Sequence, residues 1–71
     1  MPLPKETLDD ILRDVRESEA ALVDLKDVIS DMRLSGMDVA KEEDKMDELT
    51  DKIRSLRSFY DRQKAKRDVI A

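Results

Sequence analysis

Seventy-one residues, a mass of 8.2 kDa and a net charge of −4 limit this chain to one small domain. Charged residues make up 45% of it and aromatics 3%, with one glycine and no tryptophan, a composition that suits long solvated helices and lacks the β-branched and aromatic content of a sheet. Cysteine and histidine are both absent, which removes disulfides, thiolate metal sites, the thiol nucleophile and the commonest general base, so a non-catalytic chain in a reducing compartment is expected.

The opening Met1-Pro2-Leu3-Pro4 carries neither a basic segment nor an apolar run of the kind that directs secretion, and no stretch approaches the roughly 18 apolar residues of a membrane span. A cytoplasmic chain without a membrane partner is therefore expected. From Leu8 onward the apolar residues follow a heptad: Leu8, Val15, Leu22 and Ile29 at the a positions, Ile11, Leu25 and Met32 at d, with Ser18 the polar interruption. This predicts a first helix over about residues 4–35. Pro4 is suited to its start, where a missing N–H does no harm, and Glu6, Asp9 and Asp10 oppose the positive end of the dipole. Thr7, with Asp10 three residues on, is a second acceptable start.

The chain's one glycine, Gly36, falls between two apolar stripes, where a helix needs a residue tolerant of positive φ in order to end. With Gly36 as the C′ residue, Met37 follows at C″ within reach of Met32, and the carboxylate of Asp38 is placed to cap the next helix. A turn over about residues 35–38 is too short for anything but an antiparallel return.

The second helix is predicted over about residues 38–67, with Val39, Met46, Ile53 and Tyr60 at a, Leu49 and Leu56 at d, and Glu42 and Gln63 polar at d. Its charge is polarised. Between Asp38 and Asp51 the acids Asp38, Glu42, Glu43, Asp44, Asp47, Glu48 and Asp51 outnumber Lys41 and Lys45; between Lys52 and Arg67 only Asp61 opposes Lys52, Arg54, Arg57, Arg62, Lys64, Lys66 and Arg67. The acidic run lacks the glycine-containing loop that wraps calcium and reads as a solvated, dipole-compensating helix start.

Folding back about Gly36 matches apolar to apolar in the layers Met32 with Val39, Leu25 with Met46, Leu22 with Leu49, Val15 with Leu56 and Ile11 with Tyr60. Ile29 against Glu42 and Leu8 against Gln63 are imperfect layers, and Ser18 against Ile53 is a thin one. On the flanks Glu19 is expected near Arg57 and Lys26 near Glu43. The tail Val69-Ile70-Ala71 either extends the seam, with Ile70 in d phase facing Leu3, or is a short docking segment, the seam being favoured of the two and fraying over both.

The expected fold is all-α: a single two-helix antiparallel coiled-coil hairpin, dimerising into a four-helix bundle. The dimer is expected because two helices cover an apolar stripe only in part, and because Leu12, Ala21, Val28 and Phe59 widen the stripe beyond the seam. The function this implies is protein–protein interaction or oligomerisation, with a second copy or another protein's helices as partner, and with neither a cofactor nor a small-molecule ligand. Its candidate surface comprises Leu8, Ile11, Leu12, Val15, Leu22, Leu25, Val28, Ile29 and Met32 on the first helix, with Val39, Met46, Leu49, Ile53, Leu56, Phe59 and Tyr60 on the second. An alternative is a dimeric nucleic-acid-binding hairpin in which Arg62, Lys64, Lys66 and Arg67 contact phosphates. The net negative charge and the neighbouring acids Glu6, Asp9, Asp10 and Asp14 weigh against it.

Overall fold

A computed structural model describes residues 3–70, with side chains described through Val69. It contains two α-helices, α1 over Lys5–Leu34 and α2 over Ala40–Ile70, packed against each other in a rod 54 Å long and 15 by 12 Å across. Two ion pairs join the helices, Arg57 to Glu19 and Arg33 to Glu43, each at 2.7 Å. Since the pairing partner in α2 rises in number as the residue in α1 falls, the helices run antiparallel.

Pro4 is the N-cap of α1, with φ −58° and ψ 154°, so the helix takes the earlier of its two acceptable starts and Thr7 lies within it. Proline offers no capping side chain, and none is supplied to α1; its carbonyl nonetheless accepts the first helical hydrogen bond, from the Leu8 N–H at 3.1 Å. Glu6 in the first turn compensates the dipole instead.

At the other end of α1 the glycine signal is realised in full. Ser35 is the C-cap, Gly36 follows at φ 73°, its N–H donates to the Arg33 carbonyl at 3.0 Å, and the Met37 N–H donates to the Met32 carbonyl at 2.9 Å. These are the two hydrogen bonds of a Schellman motif, and they satisfy carbonyls that the end of a helix would otherwise leave without partners. The Ser35 hydroxyl adds a third bond, to the Asp31 carbonyl at 3.0 Å. Met37 is at C″ as expected, yet its side chain remains exposed and does not seal the turn.

The second helix begins two residues later than expected and extends three residues further. Val39 is its N-cap, its carbonyl accepting from the Glu43 N–H at 2.8 Å, and Asp38 stands one position before it. The Asp38 carboxylate accepts from the Ala40 N–H at 3.1 Å, so it serves the first helical residue, as an Asx turn does. Replacing Asp38 by Ala removes a partner from an otherwise orphaned donor and is expected to cost about 0.5–1 kcal/mol in chemical denaturation, with Asp38→Asn close to wild type. The later end at Ile70 follows from the absence of any stop signal: no Gly or Pro occurs after Gly36, and Arg67 in the last turn suits the negative pole. The proposed contact of Ile70 with Leu3 lies outside the described side chains, and Val69 is exposed.

The buried apolar side chains among the described residues are Leu8, Val15, Ile29 and Val39, and Ser18 is buried with them. Leu8 and Ile29 are buried although their expected layers, opposite Gln63 and Glu42, are imperfect; both polar residues are half-buried, so their methylenes can cover the aliphatic neighbours while the polar heads reach water. Ser18 forms a buried small-residue layer in the seam, and no buried side-chain nitrogen or oxygen lacks a hydrogen-bond partner among the described residues.

Candidate functional surface

The seam is unevenly closed. Val15 is 1% exposed, whereas Ile11, Leu22, Leu25 and Met32 of α1 are only half-buried, as are Met46, Leu49, Ile53, Leu56 and Tyr60 of α2. Beside the seam, Leu12 is half-buried, while Val28 is 50% and Phe59 37% exposed. The structure thus divides the candidate surface into an α1 stripe covered at Leu8, Val15 and Ile29 and half-covered between them, an α2 stripe half-covered from Met46 to Tyr60, and two side chains, Val28 and Phe59, that the hairpin leaves to solvent.

The ion pairs separate the two long faces of the hairpin. Glu19 and Arg33 follow seam positions directly and repeat at two-heptad spacing, as do Glu43 and Arg57. All four therefore lie along one edge, and both bridges cross it. Half-buried Leu12 and Thr50 are on the same edge, the Thr50 hydroxyl donating to the Met46 carbonyl at 2.8 Å. The expected pairing of Lys26 with Glu43 does not form. At the register of the two bridges, Lys26 is level with Thr50, about two turns from Glu43, and Glu43 takes Arg33 across the connection instead. That bridge links the last turn of α1 to the first turn of α2, setting a cation at the negative pole of one dipole and an anion at the positive pole of the other. All four side chains are substantially exposed, so the bridges contribute at most about 1 kcal/mol each and act mainly to select register.

The opposite edge carries Asp14, Ala21 and Val28 of α1 and Lys45, Lys52 and Phe59 of α2, all exposed. No ion pair crosses it among the described residues. Leu12, Ala21, Val28 and Phe59, expected to widen one stripe together, divide between the faces: Leu12 lies on the bridged face and the other three on the open one. The recurrence of Glu19 and Arg33, and of Glu43 and Arg57, was the signal that could have separated the faces beforehand.

At the open end of the rod, a shallow cleft of about 240 Å³ is formed around Leu8 and Tyr60 by Lys5, Asp9, Lys64, Arg67 and Asp68. Of the basic residues considered as phosphate contacts, Lys64 and Arg67 meet there, in the company of two carboxylates; Arg62 and Lys66 are exposed on the surface and do not line it. Arg67 is half-buried because it continues the a positions of the α2 seam one heptad beyond Tyr60. The acids between Glu42 and Asp51 are distributed around α2, and no three potential metal ligands converge among the described residues. Among the described residues, no helix is long and apolar enough to cross a membrane.

No family model matches the chain, and no curated protein or solved structure matches it either.

Proposed function

We propose that this chain is a non-catalytic helical interaction module that completes its core by self-association, two hairpins forming a four-helix bundle. The observation that carries this reading is the state of α2: it holds five apolar seam residues from Met46 to Tyr60, and none of them is fully buried by α1. Each half-covered Leu, Ile or Met retains apolar surface whose removal from water is worth about 25 cal/mol per Å², and a second pair of helices offers the same kind of surface in return. Two-fold dimers are the commonest way for one chain to meet that requirement.

Sedimentation equilibrium across the micromolar range tests the reading, paired with thermal melts at the same concentrations. A dimer mass is expected, with a melting temperature that rises with protein concentration, because association stabilises the folded form by mass action. A folded monomer whose melting temperature is independent of concentration would overturn it.

A further inference from the structure

We infer that the two copies meet through the open face of the hairpin, around Ala21, Val28 and Phe59, with the two-fold axis parallel to the helices, so that α1 of each lies on α2 of the other and both turns are at the same end. This deepens the self-association reading and rests on it.

Two observations select the face. The opposite edge is already joined by the Arg57–Glu19 and Arg33–Glu43 bridges, which a partner seated there would have to desolvate or displace. The open edge has no such bridge among the described residues and leaves Val28 and Phe59 to solvent beside the half-covered seam.

Charge then selects the axis. Along the open face α1 presents Asp10, Asp14, Glu17, Asp24 and Asp31 and no lysine or arginine; of these, Asp10 is held by Arg13 on its own helix. Along the same face α2 presents Lys41, Lys45, Lys52, Arg62 and Lys66 against Glu48, with Asp38 in the turn before it. On the bridged face, by contrast, each helix mixes both signs. A segregation by helix on one face alone complements a partner in which the helices exchange places. Turning the second copy about an axis along the rod sets α1 against the partner's α2, acid to base, antiparallel and at matching height. Turning it about an axis across the rod sets α1 against the partner's α1, where five acids meet five, and like charges placed opposite each other oppose association. The two arrangements bury similar apolar surface, so the charges distinguish them.

Because the chain has no cysteine, a single spin label can be placed at Leu34→Cys, a position 85% exposed at the turn end and on the outward side of α1. Pulsed dipolar spectroscopy of the labelled full chain, at a concentration where sedimentation gives the dimer mass, is expected to return an inter-label distance within about three helix diameters, roughly 30 Å. A distance near the 54 Å length of the rod, in a dimer, would overturn this arrangement and leave self-association standing. A monomer in sedimentation would overturn both. A second pair of variants reads the face without touching the seam: Lys45→Glu with Lys52→Glu is expected to weaken dimerisation roughly three- to tenfold at low salt, while Lys26→Glu on the bridged face leaves it within about twofold. Equal effects from both faces would overturn the choice of the open one.

Discussion

Val15→Asp is expected to unfold the protein. Val15 is the most completely covered side chain of the hairpin, and the substitution removes about 1.5–3 kcal/mol of apolar burial while placing a carboxylate in a seam with no cation in register to receive it. Domains of this size are stable by only about 0.05–0.15 kcal/mol per residue in total, so the combined loss exceeds what the fold can absorb. Circular dichroism should show the helical signal of wild type replaced by that of an unfolded chain at 25 °C. The informative control is Val23→Asp. The same chemical change at a position 59% exposed is expected to shift stability by no more than about 0.5 kcal/mol. If both variants behaved alike, the heptad seam would not be what holds the hairpin together.

The second large effect is expected at Gly36. A Cβ added there meets nothing within 4 Å, yet the residue sits at φ 73°, so substitution costs backbone energy and no steric clash with neighbours. Ala is expected to destabilise the turn by about 1 kcal/mol, lowering the melting temperature by about 4–8 °C in a domain of this length. A β-branched residue goes further, since valine resists the left-handed region more strongly than alanine. Gly36→Val is therefore expected to favour a helical continuation through the turn, converting the closed hairpin into an extended rod whose two halves pair with those of another copy. Small-angle scattering would register this as a maximum dimension well beyond the 54 Å of the closed form. Gly36→Asn, which tolerates positive φ, should behave nearly as wild type. Unchanged dimensions and stability in the valine variant would mean that the Schellman geometry is dispensable.

Much of the architecture could be read before any coordinates because it depends on local, periodic physics. The heptad of Leu8, Val15, Leu22 and Ile29 and its continuation from Val39 to Tyr60 determine two helices with apolar stripes. Gly36 determines where the first must end, since it is the chain's one residue at ease with a positive φ. The flank pair of Glu19 with Arg57 also follows from the register that the turn imposes. Boundaries were less legible. Whether Asp38 or Val39 is the N-cap depends on a single hydrogen bond, and the second helix continues to Ile70 because no residue past Arg67 opposes it.

What the sequence determined by itself, then, is the pair of helices, the turn and the stripe, all set by interactions between residues a few positions apart or by the conformational range of one glycine. Only the tertiary structure decided how that stripe is shared out. It closed tightly over Leu8, Val15 and Ile29, left the α2 seam half-covered, and assigned Leu12 to one face with Ala21, Val28 and Phe59 on the other. It also gave Glu43 to Arg33 in place of Lys26. The reason is that periodicity names the side of a helix that turns inward but not how far a neighbour reaches over it; that reach depends on side-chain length, on the separation of the two axes and on which edge the ion pairs draw together.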